Sequence, residues 1–542
     1  MTRICGADVH VCAGPPGPAP RRSAIRRAFL AALYCCAALT AADAGWVRYG
    51  HDYAGTRYSD LAQINTANVV GLTPAWISQT GFPGGMEATP LVDGGLMFVT
   101  GPSNSALAID IRTGKPMWRY SHTPPRGLNL CCGEPNRGFA LHASKVIKVN
   151  IENHLVALDA KSGAVLWDTE IADYRTGYTG TSAPLVVKDM VIIGTAGGEF
   201  GIRGFVDAYD ANTGKRRWRF HTVAGPEDPA GGKSWDGDSW QHGGGATWVT
   251  GTYDPELNLV YWGVGNPGPD MNGDLRRGDN LYTCSVVALD VDTGKLKWHF
   301  QFTPHDTHDW DAVADPVLVD IPVQGRRVKA VIQANRNGYF YALDRATGKF
   351  LLASPYTKIS WADGIDASGK PKLIAGQEPS EEGTRVCPGL GGGHNWQPTA
   401  YSLNTGLYYF QSTDGCQNYY KTRHGFVEGQ WFQLSTTDDI AGEPSAGSLI
   451  ALDPSTGRIR WRMKTLGTPS AGLLTTAGGL LFAGDHFGYA MALDAQTGNV
   501  LWKFYTGAPI RGSFITYTLN GKQYVAIPAG STVIAFTLPT TH

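Results

Sequence analysis

The chain has 542 residues, of which 69 are glycine, 17% are charged and 11% are aromatic, with 46 basic residues against 47 acidic ones for a net charge of −1. Glycine at roughly 13% and charge well below the ~25% average exclude a long coiled coil, and the apolar and aromatic content excludes a disordered chain. Balanced charge offers no global field for nucleic acid or an anionic membrane.

The first element in chain order is residues 1–44, which have the layout of a secretory signal. Arg21, Arg22, Arg26 and Arg27 form a basic cluster, Ala28 to Thr40 is an apolar run, and Ala42-Asp43-Ala44 is a small-x-small cleavage pattern. Arg26-Arg27-Ala28-Phe29-Leu30 resembles a twin-arginine signal, and a general secretory signal fits equally. The alternative is an anchor helix, for which the apolar run is short. No later stretch approaches 18 uninterrupted apolar residues. The expectation is a periplasmic protein, cleaved near Ala44, with no integral membrane segment in residues 45–542. Four of the nine cysteines fall in residues 1–44, and the other five face an oxidising compartment. No Cys-x-x-Cys-His and no zinc-ligand spacing is present.

Residues 45–542 carry an internal repeat. The phrase is Ala, an apolar residue, Asp, two variable residues, Thr or Ser, Gly, three variable residues, Trp. It begins at Ala108, Ala157, Ala208, Ala288, Ala342, Ala451 and Ala492, and Leu352 replaces the tryptophan in the fifth copy. Asp-x-x-Thr-Gly is turn chemistry, so each copy reads as strand, turn, strand, with the tryptophan wedged between neighbouring sheets. The aspartates are spaced by 49, 51, 80, 54, 109 and 41 residues. The step of 109 has room for one more unit, with Ala400 to Phe410 as its candidate. Seven copies plus one predict an all-β, eight-bladed β-propeller whose blades dock through tryptophan. Gly225 to Gly245 and Phe350 to Gly393 are long connections of the kind that carry function.

Three local patterns bear on chemistry. Cys131-Cys132 in Cys131-Cys132-Gly133-Glu134-Pro135-Asn136-Arg137 are two thiols, partners of distant cysteines, or a strained ring closed between neighbours. Trp248 lies outside the repeat phase and follows Gly243-Gly244-Gly245, which permit close backbone approach. His305-Asp306-Thr307-His308-Asp309-Trp310-Asp311 brings the carboxylates Asp309 and Asp311 two residues apart. Extended backbone would put Asp309 and Asp311 on one side, where they repel unless a cation or proton intervenes.

The repeat and these motifs resemble the quinoprotein alcohol dehydrogenases of the methanol and ethanol dehydrogenase type, across about residues 46 to 540. The resemblance implies an eight-bladed propeller holding pyrroloquinoline quinone (PQQ) and one metal ion near its axis. It implies a Cys131–Cys132 disulfide on one face of the quinone, Trp248 on the other, and Arg137 on a PQQ carboxylate. Glu87, Thr181, Gly197, Gly198, Arg336 and Asn395 match further cofactor contacts. Glu199, Asn266, Asp309 and Asp311 match the metal ligands. The second acid, Asp311, follows the lanthanide-dependent branch, so a lanthanide is favoured and calcium is the alternative. A Cys387–Cys416 disulfide also matches the family, which leaves Cys284 as a buried free thiol. Three positions depart from the family: Ala246 stands where Thr is frequent, and His308 and Ser470 where Trp is frequent.

The implied reaction is oxidation of a primary or secondary alcohol to an aldehyde or ketone. Asp309 is the general base, hydride passes to the PQQ C5 carbonyl carbon, the metal polarises that carbonyl, and Arg336 stabilises its oxygen. Electrons leave to a separate soluble cytochrome c. The rival readings are a sugar or polyol dehydrogenase of the same fold and a non-enzymatic propeller scaffold for outer-membrane assembly.

Overall fold

The computed structural model describes residues 43–323, 325–468 and 470–539. All but the last two residues of the expected signal segment lie outside the described residues. What is described is all-β, with only short 3-10 turns between strands.

The repeat phrase explains the strands. Its alanine and the residue ten positions on are direct cross-strand partners in every copy, from Ala108 with Trp118 to Ala492 with Trp502. A methyl group opposite the indole leaves the ring free to turn outward. A register shift beside that pair bends the outer strand. In the intervening turn the aspartate carboxylate accepts backbone N–H groups, as Asp210 does from Asn212 at 3.0 Å and Thr213 at 2.9 Å. Inner strands such as Ala106–Asp110 are buried on both faces, whereas the outer Pro116–Tyr120 is largely exposed.

Among the described residues there are seven four-stranded sheets and one five-stranded sheet, besides a two-stranded and a three-stranded one. In chain order, sheet one lies within residues 91–120, two within 140–170, three within 185–221, four within 252–301 and five within 317–355. Sheet six is Ala400–Tyr401, Tyr408–Asp414, Ala446–Asp453 and Arg458–Lys464. Sheet seven lies within 474–505 and is joined by Tyr58–Ser59. Sheet eight is Ile515–Leu519, Lys522–Ala529 and Thr532–Thr537, completed by Thr73–Gln79 from the other end of the chain.

This corrects one expectation. Ala400 to Phe410 is not an extra unit; it supplies the first strands of the sixth copy's own sheet. The long step of 109 is filled by a side structure within residues 362–439 that includes the small sheets. The sheet without a repeat phrase is the one made from both ends of the chain, which internal periodicity cannot reveal.

Tryptophans link one sheet to the next. The Trp118 indole donates to the Ala160 carbonyl at 2.9 Å, Trp218 to Val291 at 2.9 Å, Trp298 to Arg345 at 3.2 Å and Trp461 to Ala495 at 3.1 Å. Trp502 reaches Leu72 at 3.1 Å, and Trp76 of sheet eight reaches Ile111 of sheet one at 2.8 Å. Where Leu352 replaces tryptophan, the Ser354 hydroxyl bonds the Gly457 carbonyl at 2.7 Å instead. Except for Trp502, which faces the sheet without a phrase, each ring lies over the glycine of the following phrase. A Cβ on Gly294 would fall 2.5 Å from the Trp218 ring, on a backbone with φ +69°. Gly294→Ala is therefore expected to cost about 2–3 kcal/mol, read as a lowered thermal midpoint. An unchanged midpoint would remove the close-packing argument.

Candidate active site

Every catalytic, cofactor-binding and metal-ligating residue expected from the sequence lines one cavity of about 240 Å³. These residues sit on connections between strands, where a rigid scaffold presents them. Cys131, Cys132 and Arg137 lie between Pro116–Tyr120 and Ala140–His142; Glu199 lies in a 3-10 turn, Gly198–Phe200; Asp309 and Asp311 lie between Leu296–Gln301 and Val317–Val323. Arg336 lies between Arg326–Ala334 and Tyr339–Asp344, and Asn395 precedes Ala400–Tyr401. Glycine is required at the tightest points: a Cβ on Gly197 would stand 2.0 Å from the Gly177 carbonyl oxygen, and one on Gly265 would stand 2.4 Å from Asp311 Oδ1.

One part of the cavity is aromatic, sulfur-lined and cationic. Cys131 and Cys132 are joined in a disulfide. Arg137 is buried, with its guanidinium 4.9 Å from the Trp248 ring and 5.1 Å from the Trp396 ring. One of its Nη groups pairs with Glu87 at 3.2 Å, and its Nε–H meets no acceptor. A fixed, partly unsatisfied guanidinium beside an indole suits a planar anionic ligand. The Thr181 hydroxyl donates to the Trp248 carbonyl at 3.3 Å, and the Trp248 indole donates to Asp311 at 3.1 Å.

The other part is acidic. Asp309 and Asp311 converge, although not through extended backbone: Asp309 has φ +58° and its segment is irregular. Arg336 gathers them, with Nη2 3.1 Å from Asp309 and Nη1 2.8 Å from Asp311, while the Leu390 carbonyl accepts from Nη2 at 2.7 Å. Asp311 Oδ1 also accepts the Asn266 backbone N–H at 2.8 Å. Burial raises the pKa of Glu199 to about 7, and burial raises Asp309 well above the usual carboxylate range against the opposing pull of Arg336. Asp311 moves the same way for the same reason.

The residues present fit both groups implied by the family. Three carboxylates and one amide oxygen suit a hard cation. A fourth acid, Asp270, is buried with both carboxylate oxygens unpartnered, and repulsion from Glu199 adds to burial in raising its pKa. A cation would relieve both the repulsion and the desolvation. The unpartnered Nε of Arg137 beside the disulfide and Trp248 suits a planar carboxylate-bearing ring.

Residues of the lining that sequence reasoning missed include Leu130, Phe200, Trp396 and Arg511, and it also missed the buried Asp270, whose charge acts on Glu199 and Asp311. Trp396 adjoins the recognised Asn395. Arg511 sits on the connection into sheet eight, where no repeat phrase marks the chain. Of the departures from the family, Ala246 lines the cavity, whereas His308 and Ser470 do not. His308 stacks on Trp310 at 4.3 Å, shares a 2.8 Å hydrogen bond with the Gln377 carbonyl, and is pushed by burial to a pKa of about 4. Neither long connection fills the cavity, although Leu390 of the second braces Arg336.

Cys387 and Cys416 are joined in a second disulfide, and Cys284 is a buried free thiol. The 29-residue separation predicts that Cys387→Ser with Cys416→Ser costs about 3–4 kcal/mol. The check is thermal unfolding; a midpoint equal to wild type would show the bond to be energetically idle.

Comparison with known proteins agrees with this geometry. The family described as "Glucose/ethanol/alcohol dehydrogenase, beta-propeller domain" matches residues 46–359, and "Outer membrane protein assembly factor BamB" matches residues 445–540. The quinoprotein alcohol dehydrogenase PedH of Pseudomonas putida is 38% identical over 89% of this chain and 86% of its own. A lanthanide-dependent methanol dehydrogenase of Methylacidiphilum fumariolicum is 37% identical over 90% of this chain and 84% of its own. Among solved structures, a europium-containing methanol dehydrogenase superposes with a TM-score of 0.87 at 32% identity, covering 91% of this chain and 98% of that one. A family match over more than half of the chain, with relatives of this identity along nearly all of it, means that the protein belongs to the PQQ-dependent alcohol dehydrogenases and is built as their all-β propeller of four-stranded sheets.

Proposed function

We propose that this protein oxidises a primary or secondary alcohol to the aldehyde or ketone, with PQQ and one metal ion, a lanthanide in preference to calcium, held in the cavity described above. The observation that carries the reading is the convergence of Cys131–Cys132, Trp248, Arg137, Arg336 and the acids on a single cavity. Export to the periplasm behind a cleaved signal at residues 1–44, and a separate cytochrome c as acceptor, complete the proposal. No helix of the described residues is long and apolar enough to cross a membrane. We read the eight large sheets as eight blades, a reading supported by indole hydrogen bonds at six of the eight junctions, including the one from sheet eight back to sheet one.

When bound, PQQ supplies a two-electron acceptor and the cation a Lewis acid. The protein's share is positioning and proton handling. Asp309 accepts the hydroxyl proton on its carboxylate, as a general base. Arg336 holds that carboxylate in place and offsets its charge. Arg137, held in place by Glu87, grips the anionic edge of the cofactor, while Leu130 and Phe200 bring apolar surface to the cavity and exclude water. Glu199, Asp270, Asp309 and Asp311 together carry four negative charges when ionised. A trivalent ion with Arg336 balances them, which favours a lanthanide.

The match to the assembly factor covers residues 445–540 only, and of the cavity lining that stretch holds Arg511 alone, none of the cysteines or acids. The test is an absorption spectrum and metal analysis of purified protein, then an alcohol panel with an artificial electron acceptor. A quinone chromophore, one metal per chain and dye reduction by alcohols are expected. Protein that takes up no PQQ and stays inert on the panel overturns the reading.

A further inference from the structure

Arg511 lines the cavity from the connection between Val500–Tyr505 and Ile515–Leu519. Its guanidinium pairs with one oxygen of Glu87, whose other oxygen is held by Arg137 at 3.2 Å. It also stands 5.7 Å from the Trp396 ring, the indole that Arg137 approaches to 5.1 Å. Two guanidinium groups thus share one carboxylate, and this wall of the cavity carries an excess positive charge.

The two arginines differ in freedom. The Arg137 side chain is 4% exposed, and its backbone is tied on both sides, accepting from Thr89 N–H at 3.0 Å and donating to the Thr181 carbonyl at 3.1 Å. The Arg511 side chain is 47% exposed, and among the described residues Glu87 is its one ion-pair partner. Glu87 is buried, with its side chain 7% exposed, and stays paired with Arg137, so the half-exposed Arg511 is the end of this pair that can exchange. A guanidinium at the rim, held by a shared acid, can transfer to an incoming carboxylate at small cost and bind it through two parallel hydrogen bonds.

We propose that Arg511 is a second carboxylate-gripping arginine of the cofactor site. Glu87 holds it at the cavity mouth, and it moves onto a carboxylate of PQQ as the cofactor enters, so that it slows release. This rests on the PQQ reading above. Arg137 supplies the fixed grip and Arg511 the late one.

The test uses the full chain produced without PQQ, with cofactor binding followed by quenching of tryptophan fluorescence. Arg511→Ala is expected to raise the PQQ Kd at least tenfold, mainly through faster release, with Arg511→Lys recovering part of the loss. The trimethyl ester of PQQ, which lacks the carboxylate charges, is expected to bind wild type and Arg511→Ala equally. Thermal midpoints of the cofactor-free proteins should agree. Equal PQQ affinity for wild type and Arg511→Ala overturns the assignment, as does an equal loss for ester and acid. Wild-type protein that fails to bind PQQ overturns the underlying function as well, which separates the two failures.

Discussion

Asp309→Asn is expected to lower kcat for dye-linked alcohol oxidation by about a thousandfold, the span usual for a lost general base. The amide is isosteric and can still receive a hydrogen bond from Arg336 Nη2, which the carboxylate meets at 3.1 Å. What it cannot do is take the hydroxyl proton. Because Asp309 also stands among the cation donors, metal content and PQQ uptake are measured on the same sample. Full occupancy with lost turnover assigns the loss to the base, and retained turnover refutes the role.

The second large effect concerns the ion. Protein reconstituted with lanthanum or cerium is expected to turn over alcohol, and protein given calcium to be at least tenfold slower. Asp311→Ala should erase that preference by lowering the lanthanide activity. The physical cause is charge. Asp311 lies 2.8 Å from Arg336 and within reach of the Trp248 indole, so its removal strips one of four neighbouring acids and frees the guanidinium. Activity with calcium alone would reject the trivalent assignment.

Much of this site was legible in the sequence because the motifs are local. Cys131-Cys132, Gly197-Gly198-Glu199 and the Asp309-Trp310-Asp311 run each carry their chemistry within a few residues, and each reaches the common cavity. Non-local partners were not legible. Asp270 follows Asn266 by four residues, yet nothing in that spacing says that its carboxylate is buried without a donor. Arg511 meets Glu87 across more than four hundred residues of chain. The fold divides in the same way. Seven sheets announce themselves through the repeat phrase, which pairs its alanine with a residue ten positions on, tryptophan in six copies and Leu352 in the fifth. The eighth depends on Thr73–Gln79 finding Thr532–Thr537, and no periodicity encodes that encounter.

That last pairing has a consequence for biogenesis. The molecule is stapled shut by strands drawn from opposite ends, and Glu87 and Arg511, which pair with each other, flank the staple. A nascent chain therefore lacks Arg511, the proposed late grip, until its C-terminal sheet has been made and docked. On the proposed function, loading of the quinone is then a finishing event, and a polypeptide arrested short of residue 532 is expected to remain unclosed and without redox activity.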